Sequence, residues 1–358
     1  IGLCRTEHMF REGERLEIVR DAILVATAAT RAKARRDAGE RLAADDQATV
    51  DRFDTAMGRL ERLQQGDFEG IFKAMDGLPV VVRLIDPPLH EFLPNHDDLL
   101  VEVTQLRERG TPENDPEFAR AREVLAVVES MREQNPMLGL RGCRLGLMIP
   151  DFVKIQTRAI LNAQIAVTRA GGHPIAKIMI PLVGHVNELS ATKRILEAEA
   201  QAVAGAAGAD LDYKFGTMIE VPRGALTADE IAADAAFFSF GTNDLTQMTF
   251  GYSRDDAEGG FLLKYVEEHI LPVNPFQTLD DAVVGLMKIA VDKGRATRPD
   301  IELGICGEHG GDPESIAKCD RIGLDYVSCS PFRVPVARLA AAQATIAARA
   351  AAAAARDA

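Results

Sequence analysis

The chain has 358 residues, of which 47% are hydrophobic and 27% are charged, the balance of a globular protein with room for one elaborate domain. Its formal net charge of −13 argues against a nucleic-acid backbone or an anionic membrane surface as a general partner. We expect neither a signal peptide nor a membrane-spanning segment, because no apolar run is long enough. An anionic substrate would need a local cluster of arginines.

Short β-branched runs recur along the chain, each bounded by turn or charged residues. In chain order they are Ile1–Arg5, Pro79–Asp86, Met137–Leu145, Ile175–Val183, Lys214–Pro222, Phe237–Leu245, Ile301–Glu308 and Asp325–Pro331. Continuous apolar strands of this kind suit a parallel sheet covered by helices. Eight strands alternating with helices predict an α/β fold, a (β/α)8 TIM barrel with helical insertions, in one domain over residues 1–358. The third run has the weakest strand pattern.

The stretches between these runs are predicted to be helical. Arg11–Met57 is rich in Ala, Arg, Glu and Leu and contains no Pro, and Leu189–Ala207 is followed by a glycine that can end a helix. Arg109–Asp115 is a loop, and a new helix is expected over Pro116–Glu133. The Ala-rich end, Ala337–Ala358, predicts a terminal helix.

The cysteine pattern and the first residues bear on the context of the chain. The five cysteines are Cys4, Cys143, Cys306, Cys319 and Cys329, an odd number with no CxxC pair. This favours free thiols in a reducing compartment, so we expect a cytoplasmic protein. The opening IGLCRTEHMF lacks an initiator Met and is typical of a strand end, so we expect the chain to start within a longer protein.

Unusual polar residues stand at the ends of the predicted strands. They are Arg5, Arg83, Arg141, Arg144, Glu220, Asn243, Asp244 and Cys306. In a barrel of this type the carboxyl ends of the strands carry the catalytic groups, so these side chains should meet at one mouth. Taken singly, each is more often a structural ion pair, a helix cap or a small core residue. Their joint placement, one set per strand end, favours a site.

The chemistry of these residues is complementary. Three arginines in one pocket favour a strongly anionic ligand that carries both a phosphate and a carboxylate. Glu220 and Asp244 are hard oxygen ligands of the kind that Mg²⁺ prefers. The GTND turn, formed by Gly241, Thr242, Asn243 and Asp244, offers backbone N–H groups, a hydroxyl and an amide that can hold a carboxylate.

Cys306 lies in the glycine-rich stretch GICGEHGG. We expect its thiol to be exposed at the mouth, with a pKa lowered by the nearby arginines, and to transfer a proton. His90, His173, His185 and His309 have no ligand-like spacing, and we predict structural roles for them.

At these motifs the sequence resembles the PEP-utilising enzyme superfamily, and within it the pyruvate, phosphate dikinases. The most specific motif is SFGTNDLTQMTFGYSR at 239–254, and dikinase-like segments are GLCRTEHMF (2–10), DPPLHEFLP (86–94), RGCRLG (141–146), IMIPLVG (178–184), GTMIEVPR (216–223), GICGEHGGDP (304–313) and SCSPFRVPVARLAAAQA (328–344). The resemblance covers nearly the whole chain. Phosphoenolpyruvate synthase and the sugar-transport Enzyme I share the TND and CGE motifs but differ around Arg5 and Arg83.

This resemblance implies the C-terminal PEP/pyruvate-binding domain of a longer enzyme, whose nucleotide-binding and phosphohistidine domains are absent from this chain. The implied reaction is phosphohistidine + pyruvate ⇌ histidine + phosphoenolpyruvate. The resemblance assigns Mg²⁺ to Glu220 and Asp244, and this ion would stabilise the enolate of pyruvate. It assigns the transfer of the proton at C3 to Cys306. A homodimer formed through this domain is also implied.

The same resemblance assigns the remaining site residues. Arg5, Arg83 and Arg141 would neutralise the phosphoryl oxygens and the enolate, with Arg5 and Arg83 counted as catalytic beside the cysteine. The substrate-binding set adds both carboxylates and the glycine, threonine and asparagine of the GTND turn, which would hold the substrate carboxylate.

Two features depart from the family pattern. Leu140 stands where the family has a His, directly before Arg141, so any contribution of that His to the pocket is lost or moved here. The region Gly39–Arg62 is longer than usual.

Three alternatives stay open. The first is a barrel of the synthase or Enzyme I type, whose phosphoryl partner is water or a carrier protein. The second is a lyase or aldolase barrel that uses Mg²⁺ and a 2-oxo acid without a phosphohistidine. The third is a non-catalytic binding or dimerisation fragment.

Overall fold

The strands form one parallel sheet in the computed structural model, which describes residues 1–11 and 13–357. Within those residues they are β1 (Cys4–Arg5), β2 (Pro79–Arg83), β3 (Ile175–Ile180), β4 (Tyr213–Ile219), β5 (Phe237–Phe240), β6 (Glu302–Ile305) and β7 (Tyr326–Val327). Each strand pairs in parallel with the next one in chain order. Sequential parallel strands joined by helices are the connectivity of a (β/α) barrel, and this confirms the predicted fold class.

Helices cover the outside of the sheet and fill its long connections. The α-helices are α1 (Arg15–Asp37), α2 (Ala44–Ala74), α3 (His96–Glu108), α4 (Pro116–Ser130), α5 (Gly142–Met148), α6 (Asp151–Arg169), α7 (Val186–Ala207), α8 (Pro222–Leu226), α9 (Ala228–Ala232), α10 (Thr242–Phe250), α11 (Arg254–Gly259), α12 (Leu262–Glu267), α13 (Asp281–Thr297), α14 (Pro313–Ile322) and α15 (Val334–Asp357). Short 3-10 turns lie at Thr6–Phe10, Leu89–Phe92, Pro136–Leu138, Glu308–Gly311 and Pro331–Arg333. Among the described residues, none of the helices combines the length and the apolar character that crossing a membrane requires.

The sheet curls until its two edges approach each other. A Cβ placed on Gly2, just before β1, would lie 2.7 Å from Ser328 Cβ and 3.2 Å from the ring of Tyr326 on the β7 side. Only a residue without a side chain allows this approach. The curl brings the loops that follow β1 and β7 to the same part of the mouth.

The predicted third strand is wrong. Instead of a strand over Met137–Leu145, the chain forms the Pro136–Leu138 turn and then α5, and β2 pairs directly with β3. Gly142 begins α5 with φ +56°, and the Arg144 guanidinium donates to the carbonyls of Leu138 at 2.8 Å and Gly139 at 2.9 Å. The conformation of Gly142 and the two hydrogen bonds from Arg144 close the segment into a compact loop.

Several other boundaries differ from the sequence prediction, and two of these differences change the type or the number of elements. The helical stretch predicted over Arg11–Met57 is divided between α1 and α2 at Gly39, which has φ +90°, a value that glycine adopts easily. The strand predicted over Phe237–Leu245 ends at Phe240, because α10 begins two residues later.

Aromatic rings fill the inside of the curled sheet above glycines of neighbouring strands. A Cβ on Gly216 of β4 would lie 2.4 Å from the Phe237 ring, and one on Gly304 of β6 would lie 2.1 Å from the Tyr326 ring. Phe237 belongs to an inner cluster of side chains from successive strands: Val81, Met179, Met218, Phe237 and Cys306. The interior is therefore a packed core, as in other barrels of this type, and its last member is a candidate catalytic residue.

Replacing Gly304 with Val should overpack this interior, because the new side chain must displace the Tyr326 ring. We expect the free energy of unfolding, measured by urea denaturation, to fall by about 3 kcal/mol. Gly285→Ala in α13 is the control, since a Cβ there meets none of the described atoms within 4 Å. That change should raise the free energy of unfolding by about 0.5–1 kcal/mol. A Gly304→Val protein as stable as the control would contradict the packing described here.

Candidate active site

The carboxyl ends of the strands carry most of the residues selected from the sequence. Arg5 ends β1, Arg83 ends β2, Glu220 follows β4, Gly241, Thr242, Asn243 and Asp244 follow β5, and Cys306 follows β6. Arg141 reaches the same mouth from the loop before α5 and not from a strand. Since parallel strands point the same way, these residues share one end of the barrel.

Asp86, which is not among the predicted site residues, joins two of the predicted arginines. Its Oδ2 atom lies 3.0 Å from Arg83 Nη1 and 2.6 Å from Arg141 Nη2. Its backbone carbonyl accepts from Arg141 Nε at 3.3 Å and from the Gly142 N–H at 2.9 Å. Asp86 and Arg141 are each only 4% exposed. The sequence feature that could have identified Asp86 is its position three residues after Arg83, an arginine at the end of a strand.

Both of these arginines have further carboxylate partners. Arg83 also pairs with Glu7, and Arg141 Nη2 lies 3.5 Å from Asp244 Oδ2. Although burial opposes the charge on Arg83, Asp86 and Glu7 raise its pKa above the ordinary value. The two guanidinium groups are thus held in place and largely compensated by acids of this chain.

Glu220 is almost completely buried, at 1% exposed, and its carboxylate packs against backbone atoms. Its Oε1 atom accepts the N–H of Leu182 at 2.6 Å, and Leu182 has φ +62°, an uncommon conformation for a residue with a side chain. A Cβ on Gly241 would lie 2.3 Å from Glu220 Oε2. The glycine of the GTND turn therefore makes room for this carboxylate.

The carboxyl groups of this cluster repel one another. Burial, then Asp244 and Asp86, raise the pKa of Glu220 well above its ordinary value, against the effect of the two arginines. Burial also raises the pKa of Asp244, and Asp86 adds to this. A divalent cation would stabilise the ionised forms of both groups.

Two observations bear on whether Mg²⁺ fits this cluster. One oxygen of Asp86 is buried without a hydrogen-bond partner among the described residues, beside Glu220 and Asp244. Over residues 1–11 and 13–357, no group of three or more His, Cys, Asp or Glu has the arrangement of a complete metal site. Mg²⁺ commonly binds one or two protein carboxylates and keeps several waters, so a pair of hard oxygen donors fits it.

The GTND turn is braced by the loop that follows β6. The Thr242 hydroxyl lies 2.8 Å from His309 Nδ1, and the other ring nitrogen of His309 lies 2.9 Å from the carbonyl of Pro275. Asn243 Oδ1 accepts the N–H of Glu308 at 3.0 Å. The N–H groups of the first turn of α10 point out of the helix end, where a carboxylate can bind. The structural role predicted for His309 is confirmed.

Cys306 lies at the mouth, but it is only 7% exposed. Its Sγ lies 3.5 Å from the carbonyl of Phe240. Burial raises the pKa of the thiol to about 12, and this outweighs the lowering effects of Ser239, Arg83 and Arg5. The expectation of an exposed thiol with a lowered pKa was therefore wrong, because packing inside the barrel outweighs the positive charges. The thiol is neutral near pH 7.

Two cavities open at this end of the barrel. One, of about 360 Å³, is lined by Leu3, Arg5, His8, Cys306, Gly307, Glu308, Ser328, Cys329, Ser330, Pro331 and Arg333. The second, of about 400 Å³, includes Asp244 in its wall. Both volumes are in the range of small-molecule sites. Arg83 and Glu220 are buried near Cys306, close enough to affect the charge of its thiol.

Leu140 lies away from these charges. It is 39% exposed, and it lines a different cavity together with His90 and Glu133. Its N–H donates to the Glu133 carboxylate at 2.8 Å. The side chain at this position therefore contributes no polar group to the mouth.

This geometry agrees with the comparisons to known proteins. The family described as "PEP-utilising enzyme, PEP-binding domain" matches residues 1–346. The chain belongs to this family. The resemblance stated from the motifs is thus confirmed, and a lyase or aldolase barrel outside the family is not supported.

Individual PEP-utilising relatives are similar over nearly the whole chain. It is 49% identical over 345 residues to "Pyruvate, phosphate dikinase, chloroplastic" of Mesembryanthemum crystallinum, covering 96% of this chain and 33% of that protein. It is 50% identical over 350 residues to "Pyruvate, phosphate dikinase 1, chloroplastic" of Arabidopsis thaliana, covering 97% and 33%. For "Pyruvate, phosphate dikinase 2" of Zea mays the identity is 49% over 347 residues, covering 96% and 36%. The chain therefore spans about a third of the length of these relatives.

Asp86→Ala should destabilise this PEP-binding domain, because two buried guanidinium groups lose a shared partner. We expect the free energy of unfolding to fall by about 3 kcal/mol or more in calorimetric melts without added metal. Glu91→Ala is the control, since the Arg11–Glu91 pair is exposed and should contribute at most about 1 kcal/mol. Equal losses in the two variants would show that other groups compensate the buried arginines.

Proposed function

We propose that this chain is the PEP/pyruvate domain of an enzyme of the pyruvate, phosphate dikinase type. It would transfer a phosphoryl group between a phosphohistidine on another domain of the full-length protein and the enolate oxygen of pyruvate. The observation that carries this proposal is the convergence of arginines, carboxylates and one thiol from separate βα connections at one mouth: Arg5, Arg83, Arg141, Glu220, Asp244 and Cys306. The identity of about 50% to dikinases supports it.

The substrate carboxylate would bind at the N-terminus of α10. The N–H groups of Thr242 and Asn243 belong to the first turn of this helix, directly after Gly241. The bond between the Thr242 hydroxyl and His309 holds the turn in place. Binding the carboxylate there would orient the carbonyl oxygen of pyruvate toward the buried charges.

Mg²⁺ would be held by Glu220 and Asp244, and when bound it supplies Lewis-acid polarisation of the pyruvate carbonyl. The protein's own contribution is to keep both carboxylates fixed before the ion arrives. Leu182 donates its N–H to Glu220, and Gln247 donates its amide to Asp244 at 3.1 Å. Preorganised ligands of this kind lose little freedom on binding.

Cys306 would move the proton at C3. When phosphoenolpyruvate is consumed, its P–O bond breaks, the phosphoryl group passes to the histidine nitrogen, and the enolate takes the thiol proton at C3 to give pyruvate. A neutral thiol is the form required for this donation, and burial favours that form. In the opposite direction the thiolate accepts the proton, and Arg83 and Arg5 stabilise that charge.

The homodimer and the cytoplasmic location expected from the resemblance and the free thiols belong to the same proposal. Several of the relatives carry the word chloroplastic in their names, which describes those proteins. Light scattering of the purified chain would test the dimer directly.

Glu220→Gln should weaken Mg²⁺-dependent binding of phosphoenolpyruvate while the fold is kept, because the amide oxygen can still accept the Leu182 N–H. Loss of a direct ligand should reduce the magnesium-dependent gain in affinity by about tenfold or more, as calorimetric titrations with and without Mg²⁺ would measure. Glu188→Gln, whose carboxylate caps α7, is the control and should bind normally. A magnesium dependence unchanged in Glu220→Gln would remove this residue from the metal site.

Cys306→Ser should abolish the exchange of pyruvate methyl protons with deuterated solvent, measured by NMR with Mg²⁺, and should leave phosphoenolpyruvate affinity nearly unchanged. In the unchanged protein the exchange rate should rise about tenfold per pH unit from pH 7 to 9, because the thiolate fraction grows with pH far below a pKa of about 12. Cys143→Ser is the matched control, since burial also raises the pKa of that thiol to about 12. Wild-type exchange in Cys306→Ser would assign the proton to another group.

A further inference from the structure

Arg5 and Arg333 differ from the buried arginines in their electrostatic surroundings. Arg83 and Arg141 each contact two carboxylates. Arg5 and Arg333 are exposed, and within the part of the chain that the structure describes neither forms an ion pair. A guanidinium without an internal acid is the one able to bind an incoming dianion at full strength.

Arg333 belongs to the cavity of about 360 Å³ that also contains Arg5 and Cys306. It ends the 3-10 turn after β7, and the curl of the sheet brings that turn beside β1. A Cβ on Gly311 would lie 2.3 Å from Arg333 Cδ, so the aliphatic part of the arginine packs against this glycine. The stem is thereby directed along the wall of the cavity.

The other charged groups of this cavity are few. His8 adds a ring that can donate a hydrogen bond, and Glu308 adds one exposed carboxylate whose backbone N–H is bound by Asn243. Among the described residues that line the cavity, two guanidinium groups therefore face one carboxylate. In the buried cluster the balance is reversed, since Asp86, Glu7, Glu220 and Asp244 surround two arginines.

We propose that Arg333, together with Arg5, binds the phosphoryl group. This inference rests on the proposed function and deepens it by adding a residue that recognises the phosphoryl half of the ligand. A phosphoryl dianion needs uncompensated cations, and the planar fork of arginine matches its oxygens. Arg333 would then distinguish phosphoenolpyruvate from pyruvate, which lacks the phosphoryl group.

The test compares three ligands by calorimetry in the presence of Mg²⁺: phosphoenolpyruvate, pyruvate and inorganic phosphate. Arg333→Met keeps the stem that packs on Gly311 and removes the charge. We expect affinity for phosphoenolpyruvate to fall about ten- to a hundredfold, and affinity for pyruvate to change less than about twofold. Arg333→Lys should recover part of the loss. Arg338→Met, an exposed arginine of α15 outside the cavity lining, is the matched control and should bind normally.

Unchanged phosphoenolpyruvate affinity in Arg333→Met, or equal losses for phosphoenolpyruvate and pyruvate, would overturn the assignment. Failure of the unchanged protein to bind phosphoenolpyruvate with Mg²⁺ would overturn the proposed function instead. In that case binding of inorganic phosphate that disappears in Arg333→Met would still support Arg333 as a phosphoryl-binding residue, and phosphate binding that persists would refute it.

Discussion

The mouth of the barrel depends on one buried carboxylate that holds two buried guanidinium groups. Asp86 lies between Arg83 and Arg141, and each of the three is less than a tenth exposed. Leaving either arginine unpaired at such depth would cost several kcal/mol, so the three side chains have to stay together. Their pairing ties the end of β2 to the loop before α5. That loop lies where a third strand was predicted, and it places Arg141 at the site.

Around this triad the charges separate into two regions. In the buried region, burial and then the neighbouring carboxylates raise the pKa of Glu220, and the excess of carboxylates over arginines favours a cation. The open cavity has two arginines that form no ion pair with the described residues, which favours an anion. A chain with a net charge of −13 thus keeps a local positive field where an anionic ligand would enter.

Cys306 stands where the two regions meet, and it is also part of the packed interior. It contacts the cluster of side chains that fills the sheet, and it lines the open cavity. The same packing that holds the thiol in position also keeps it protonated, because burial disfavours the thiolate. Position and protonation state therefore have one physical cause.

The sequence by itself determined the parallel barrel pattern, the strand-end location of residues such as Glu220 and Cys306, and the family. These features are local, because apolar runs, turn residues and motifs can be read within a few positions. The tertiary structure alone decided that Met137–Leu145 is a loop, that Asp86 pairs with two arginines and that Cys306 has a raised pKa. Pairing and burial depend on distances between residues far apart in the chain, such as the 55 positions that separate Asp86 from Arg141.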